Sequence, residues 1–125
     1  MADSQGHAGR RVLVVEDEAM IAMLVEDMLA DLGCAVVGPA HGVNEALELV
    51  HGGSALDAAL LDVNLGGSPV FAVADALRAK GVPMIFSTGY GDGGLREVDR
   101  GAPVLQKPFR SQDLERALTQ AFAGA

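Results

Sequence analysis

The residues Asp57-Ala58-Ala59-Leu60-Leu61-Asp62-Val63-Asn64-Leu65-Gly66-Gly67 contain the most informative boundary in the chain. A short apolar run, residues 58–61, ends on the carboxylate of Asp62, and a glycine-rich turn follows it. A run of about four to eight apolar residues between turn signals is typical of a strand buried on both faces. In an open parallel sheet, ligands bind beyond the carboxyl ends of the strands. Asp62 is therefore the first candidate for a functional residue.

Similar apolar runs recur along the chain and alternate with helical segments. The predicted strands cover residues 11–15, 34–38, 58–62, 83–88 and 102–106, and the predicted helices begin near residues 21, 43, 68 and 111. Ser68 and Ser111 are the predicted caps, with Pro69 in the first turn. This alternation predicts an α/β fold, a doubly wound five-stranded parallel sheet with helices on both faces. Glycines crowd residues 89–101, so the fourth helix of the alternation, which is expected there between the fourth and fifth strands, should be short or disordered.

Composition limits the classes of partner. The chain has 125 residues and a formal net charge of −8, which argues against a nucleic-acid surface and against an anionic membrane surface. No apolar run is long enough for a membrane span, and Met1 to Arg10 does not resemble a signal peptide, so we expect a cytoplasmic protein. Residues 1–10 are polar and predict a disordered tail, and Cys34 is the only cysteine, which excludes an internal disulfide.

The first helix is predicted to bury an apolar face. Residues at helical spacing form it: Ile21, Leu24, Val25, Met28 and Leu32. The methionines of this helix are interpreted as core rather than as a binding face. The histidines His7, His41 and His51 are interpreted as surface residues without a ligand role.

Each predicted strand end carries a polar side chain. The residues concerned are Glu16 and Asp17 after the first strand, Asp62, Thr88 and Lys107. Parallel strands place these ends at one edge of the sheet, so three carboxylates, a hydroxyl and an ammonium should converge. At about 4 Å, each like-charge pair costs roughly 4 kcal/mol at an effective dielectric of 20. Lys107 and a divalent cation such as Mg²⁺ would offset this repulsion. Such a site suits phosphoryl transfer, in which a carboxylate can act as the nucleophile.

Four motifs at these strand ends resemble the receiver domain of two-component response regulators, the CheY-like family. They are residues 14–18 (Val-Val-Glu-Asp-Glu), 61–64 (Leu-Asp-Val-Asn), 86–89 (Phe-Ser-Thr-Gly) and 107–109 (Lys-Pro-Phe). The resemblance covers about Arg11 to Ala123 and implies a flavodoxin-like sheet with strand order 2-1-3-4-5. It makes residues 11–125 the receiver domain, with no output domain of its own.

The resemblance also implies roles for individual residues. Asp62 would be the phosphoacceptor, taking a phosphoryl group from a histidine kinase or a histidine phosphotransfer protein. Glu16, Asp17, Asp62 and the backbone carbonyl of Asn64 would bind Mg²⁺. Thr88, Gly89 and Lys107 would bind the phosphoryl group, Thr88 being the switch hydroxyl, and the peptide bond before Pro108 would be cis.

The fourth strand and its loop resemble a narrower group, the FAT GUY receivers. The hallmark of that group is Phe-Ala-Thr-Gly-Tyr, and Ser87 replaces the alanine here. Tyr90 and Phe109 are the expected contacts to a partner or to the switch. The resemblance implies that the protein is a monomer or a weak dimer. It would signal by binding an unknown downstream protein or by passing the phosphoryl group on.

Two other functions remain open from the sequence. The first is a receiver-fold module that binds a protein without being phosphorylated. The second is a phosphatase of the haloacid-dehalogenase type, which needs an aspartate two residues after the nucleophile. That position is Asn64, which cannot shuttle protons. We therefore expect no enzyme activity beyond the chain's own phosphorylation and dephosphorylation.

Overall fold

The computed structural model describes residues 7–53, 55–89 and 94–123. In chain order the elements are β1 (Arg11–Val15), α1 (Ala19–Asp31), β2 (Ala35–Ala40), α2 (Val43–His51), β3 (Ala58–Asp62), β4 (Asn64–Leu65), β5 (Ser68–Pro69), α3 (Phe71–Ala79), β6 (Met84–Thr88), a 3₁₀ turn (Glu97–Asp99), β7 (Val104–Gln106) and α4 (Ser111–Ala123). Among the described residues, no helix has the length and apolar character that crossing a bilayer would require.

Five of the strands form one parallel sheet. Its order is β2-β1-β3-β6-β7, so the predicted order 2-1-3-4-5 and the flavodoxin-like fold are confirmed. The register pairs Asp62 with Ser87 and Thr88 with Gln106, which places the carboxyl ends of β3, β6 and β7 side by side. The topology therefore brings the predicted site residues to one edge of the sheet.

The apolar residues of each strand divide between two cores, because successive side chains of a strand point to opposite faces. In β1, Leu13 and Val15 pack into the core on one face, whereas Val12 and Val14 pack into the core on the other. Helices α2 and α3 cover the first core, and α1 and α4 cover the second. Burial on both faces explains why β3 is apolar over nearly its whole length.

The segment between β6 and β7 contains no α-helix among its described residues. In the described part of this segment, residues 94–103, the 3₁₀ turn Glu97–Asp99 is the only helical element, in agreement with the short helix predicted there. Leu95 is buried and joins the first core. Tyr90 lies outside the described residues.

Two predicted helix starts are wrong. Ser68 and Pro69 do not open α3; they form β5, which pairs antiparallel with β4, and α3 begins at Phe71. Gly66 and Gly67 allow this turn, since both adopt positive φ angles of 55° and 92°. Ser111 is the first residue of α4 rather than its cap, and its neighbour Arg110 donates its backbone N–H to the Asp113 carboxylate at 2.9 Å.

The second strand is longer and later than predicted. It begins at Ala35 and runs through Pro39 to Ala40 instead of ending at Gly38. Gly38 has a φ of 95°, and the β1–β2 register shifts between Leu13 and Val15. An irregularity of this kind lets an edge strand include a proline, which cannot donate to the ladder.

The predicted face of α1 is partly wrong. Leu24 is 56% exposed, and the methionines Met20 and Met23 are 79% and 62% exposed, so they do not belong to the core. The buried residues of this helix are Ala22, Val25 and Leu29. α1 carries apolar side chains around most of its circumference, so the spacing of apolar residues alone was compatible with more than one buried face.

His7 is buried, contrary to its interpretation as a surface residue, whereas His41 and His51 are exposed as predicted. Its ring lies 5.7 Å from the Phe122 ring, and its Nε2 is 3.2 Å from the Thr119 hydroxyl. Of the predicted disordered tail at residues 1–10, residues 1–6 lie outside the described residues, and the stretch from His7 onward packs against α4.

Candidate functional site

The structure brings together the five polar residues that the strand ends predicted. Glu16 and Asp17 follow β1, Asp62 closes β3, Thr88 closes β6 and Lys107 follows β7. One carboxylate oxygen from each of Glu16, Asp17 and Asp62 lies within 4.8 Å of the other two. Glu16, Asp62 and Thr88 are buried, and the Lys107 side chain is 16% exposed.

Lys107 links two of the three carboxylates. Its Nζ lies 2.9 Å from Glu16 Oε1 and 3.1 Å from Asp62 Oδ2. The other oxygen of each carboxylate accepts a backbone N–H: Asn64 donates to Asp62 at 3.2 Å, and Glu18 donates to Glu16 at 3.1 Å. These bonds fix the orientation of both carboxylates.

The pKa values record how these charges interact. Burial raises the pKa of Glu16 to about 7, although the hydrogen bonds from Lys107 and Glu18 oppose that rise. Burial alone would lower the pKa of Lys107, but its hydrogen bond to Glu16 and the negative charge of Asp62 outweigh burial and raise it. The site therefore stabilises the protonated form of Lys107. This single ammonium does not balance the negative charge of three carboxylates.

This donor set fits Mg²⁺. Mg²⁺ prefers hard oxygen ligands and is commonly held by a few carboxylates plus water. Glu16, Asp17 and Asp62 supply such oxygens, and these carboxylates outnumber the Lys107 ammonium by two. A divalent cation would balance that excess. The backbone carbonyl of Asn64 stays a predicted ligand.

The turn after β3 shapes the site beside Asp17. The Asn64 side-chain carbonyl accepts the Gly67 N–H at 3.1 Å, which closes the turn. A Cβ atom at Gly66 would lie 3.4 Å from Asp17 Oδ2, so a small residue leaves room around that carboxylate.

A cleft of about 820 Å³ opens above the carboxylates. Its lining includes Asp17, Asp62, Thr88, Gly89, Gly94 and Lys107. The Lys107–Pro108 peptide is cis, as predicted. Phe109 does not line this cleft but lines a neighbouring apolar groove of about 360 Å³, which Lys107 and Glu18 also line.

Sequence analysis missed one residue that contacts the site. His41 Nδ1 lies 2.9 Å from the backbone carbonyl of Glu16, and since a carbonyl oxygen only accepts, Nδ1 carries the proton. The His41 backbone N–H donates to Glu45 Oε1 at 2.9 Å. Its position directly after β2, at the same edge of the sheet, was the available signal.

Comparison with known proteins gives a consistent set of relatives. The family model for the response regulator receiver domain matches residues 12–119. The phyllosphere-induced regulator PhyR of Methylorubrum extorquens is 34% identical over 89% of this chain and 43% of its own length. The transcriptional regulatory protein PdtaR of Mycobacterium tuberculosis is 33% identical over 97% of this chain and 60% of its own length. The chain thus spans about half the length of these two regulators.

Two solved structures match the chain over nearly their whole length. The solution structure of SdrG from Sphingomonas melonis has a TM-score of 0.81 and 43% identity, covering 90% of this chain and 96% of SdrG. A structure of SdrG described as its BeF3-activated conformation, from Pseudomonas melonis, has a TM-score of 0.78 and 42% identity, covering 92% of this chain and 98% of that one.

Proposed function

The chain belongs to the response regulator receiver family, and from that premise we propose that Asp62 accepts a phosphoryl group from a histidine kinase or a histidine phosphotransfer protein. One observation carries the proposal: Lys107 bridges Glu16 and Asp62 at the floor of a cleft that Asp17 also lines. The BeF3-activated conformation of SdrG supports it, because beryllofluoride resembles a phosphoryl group on a carboxylate.

Glu16, Asp17, Asp62 and the Asn64 carbonyl are the groups that would hold Mg²⁺. The bound ion would supply positive charge to the phosphoryl oxygens as they approach the carboxylates.

The transfer step uses the Asp62 carboxylate as the nucleophile. A carboxylate oxygen forms a bond to phosphorus while the phosphorus–nitrogen bond of the phosphohistidine donor breaks. The electron pair of that bond returns to the imidazole, which takes up a proton. Lys107 is placed to pair with a phosphoryl oxygen, because its Nζ already lies 3.1 Å from Asp62 Oδ2. The Thr88 hydroxyl and the Gly89 N–H would donate to the remaining phosphoryl oxygens.

The residue two positions after the acceptor argues against turnover of an outside substrate. Asn64 stands two residues after Asp62 and has no ionisable group, so it cannot serve as a general acid or base for an outside substrate. Phosphorylation and hydrolysis of the acyl phosphate would then be the reactions of this site. The protein would act as a signalling component rather than as an enzyme with turnover.

Phosphorylation would place about −1.5 to −2 of charge on the phosphoryl group. Because the charge of about −1 on the Asp62 carboxylate is lost when the acyl phosphate forms, the net charge of the cleft would change by about −0.5 to −1. Thr88 would move toward the new phosphoryl oxygens, and the backbone after it would follow. A downstream protein would bind the rearranged surface, or a second histidine protein would take the phosphoryl group. We expect a cytoplasmic monomer or weak dimer with no nucleic-acid or membrane partner.

The apolar groove next to the cleft is the surface on which the upstream partner would bind. Leu24 and Phe109 line the apolar groove, which continues into the cleft through Glu18 and Lys107, since both of these residues line both spaces. Met20 and Met23 extend the exposed apolar surface along α1. A histidine protein seated there would bring its phosphoryl group to Asp62.

Phosphorylation by a small donor tests the proposal without knowledge of the kinase. Acetyl phosphate with Mg²⁺ should add one phosphoryl group to the chain, detected by intact mass. Asp62→Asn should abolish the addition, and EDTA should abolish it for the wild-type chain. The control Asp31→Asn changes an exposed carboxylate at the end of α1 and should be labelled normally. Continued labelling of Asp62→Asn would place the acceptor elsewhere, and an unlabelled, folded wild-type chain would favour a phosphorylation-independent binding module.

A further inference from the structure

Four charged residues connect the segment between β6 and β7 to α3. This Arg–Asp cluster consists of Asp75 and Arg78 on α3 and of Arg96 and Asp99 beside the 3₁₀ turn. Arg96 Nε lies 2.9 Å from Asp99 Oδ2, and its Nη2 lies 2.8 Å from Asp75 Oδ1. Arg78 contacts both Asp99 and Asp75, the latter at 3.5 Å. Arg96 is thus the residue of the segment that reaches both carboxylates.

The cluster is built around a buried charge. The Asp99 side chain is fully buried, with 0% exposure, whereas Asp75 is 59% exposed. A buried carboxylate requires paired cations and hydrogen bonds, and Arg78 and Arg96 supply them. The hydrogen bonds from Arg96 to Asp75 and Asp99 also raise the pKa of Arg96. These contacts fix the position of Arg96 from two sides.

The residues just before Arg96 form part of the cleft wall. Gly94 lines the cleft, and a Cβ atom there would lie 3.3 Å from Val63 Cγ1. Leu95 is buried in the first core. The Arg96 guanidinium lies 4.5 Å from the centre of the Phe71 ring, and Phe71 lines the same cleft. The Arg–Asp cluster therefore holds a stretch of backbone that borders the space above Asp62.

We propose that Arg96 is a positioning residue that, through the Arg–Asp cluster, holds the cleft wall at Gly94 and so sets the lifetime of the phosphoryl group on Asp62. The inference rests on the proposed function. In hydrolysis a water oxygen bonds to phosphorus, the bond from phosphorus to the Asp62 oxygen breaks, and a proton leaves the water for solvent. A wall held against Val63 and Phe71 restricts the water that reaches phosphorus. Release of that wall should speed hydrolysis.

The test compares two arginine substitutions in one segment. Arg96→Gln removes the contacts to both carboxylates and to Phe71, whereas Arg100→Gln changes an exposed arginine that has no ion pair among the described residues. Each protein is phosphorylated with acetyl phosphate and Mg²⁺ and freed of donor, and its decay is followed by intact mass at a temperature where circular dichroism shows a folded protein. We expect Arg96→Gln to shorten the half-life by more than about twofold and Arg100→Gln to leave it unchanged.

If the half-life of the phosphoryl group in Arg96→Gln changes by less than about twofold, the inference is overturned. This holds even if the melting temperature of the variant falls, because a purely structural role would lower stability alone. If Arg96→Gln does not fold, Asp75→Asn replaces it under the same criterion, since it removes an exposed partner and leaves Asp99 paired. A wild-type chain that takes no phosphoryl group would contradict the proposed function itself. A labelled wild type with an unchanged half-life in the variants would contradict only the role of Arg96.

Discussion

Asp62→Asn removes one of three clustered carboxylates while keeping the shape of the side chain, and should stabilise the metal-free protein. The carboxylate oxygens lie within 4.8 Å of one another, and at that upper limit each pair repels by about 3.5 kcal/mol at an effective dielectric of about 20. Asp62 has two such neighbours, Glu16 and Asp17. Its attraction to Lys107 Nζ at 3.1 Å is about 5 kcal/mol on the same scale. Repulsion exceeds attraction, so the substitution should add about 1–2 kcal/mol to the free energy of unfolding.

Urea unfolding in EDTA measures this difference. A pH of about 8.5 is suitable because it lies above the pKa of about 7 that burial gives Glu16, so the Glu16 carboxylate is ionised. Asn at position 62 can still accept the Asn64 N–H, so that hydrogen bond is retained. The control Asp31→Asn should change stability by less than about 0.5 kcal/mol.

Added Mg²⁺ should reverse the order of the two proteins. An ion that binds only the folded state stabilises it by about 2.7 kcal/mol at a hundred times its dissociation constant. The wild-type chain should gain that amount, and Asp62→Asn should gain less because it has lost a ligand. A variant less stable than the wild type in EDTA would refute the claim that the carboxylates repel one another in the absence of metal.

Three further substitutions or reactions test the packing. Phe86→Ala removes a fully buried ring from the interior strand β6 and should lower the free energy of unfolding in urea by about 3–5 kcal/mol. A loss below about 1 kcal/mol would mean that the core collapses around the gap. Gly94 has a φ of 89°, and a Cβ atom there would press against Val63, so Gly94→Ala should destabilise the protein by about 1–3 kcal/mol in thermal melting. An unchanged melting temperature would show that the backbone at position 94 relaxes to accept the side chain. Burial raises the pKa of the Cys34 thiol, so iodoacetamide at about pH 8 should alkylate it more slowly in the folded than in the urea-unfolded chain; equal rates would contradict its burial.

The sheet and the site were predictable because both follow from the same local signal. Apolar runs such as residues 58–61 define strands, and the polar residue that ends each run is carried to the common edge by parallel pairing. Asp62 and Lys107 are 45 residues apart in sequence but within hydrogen-bonding distance in the structure. The strand order that the family resemblance implied was the additional information needed to bring them together.

The face of α1 was not predictable from spacing. Leu24 shares helical spacing with Val25 and Met28, yet α1 packs on the sheet through Ala22, Val25 and Leu29. Only the position of α4 and the sheet distinguishes the two faces. Leu24, one of the apolar side chains left exposed, lines the groove at Phe109.

The Arg–Asp cluster was missed because its contacts join separate elements. Asp75 and Arg96 are 21 residues apart and belong to α3 and to a glycine-rich segment in which no ordered contact was expected. A signal was nevertheless present, since Asp75 and Arg78, and likewise Arg96 and Asp99, are spaced three residues apart. Such pairs indicate a helical turn on each side, and the buried Asp99 joins the two.

The two edge strands of the five-stranded sheet, β2 and β7, offer little surface for pairing with another molecule. β2 includes Pro39, which has no N–H to offer a neighbouring chain, and the register irregularity bends it away from a regular ladder. At the other border, β7 contributes only three residues. Short or interrupted borders are poor templates for strand addition from another molecule. A concentrated solution of this protein should accordingly resist growth into amyloid-like fibrils from the native state.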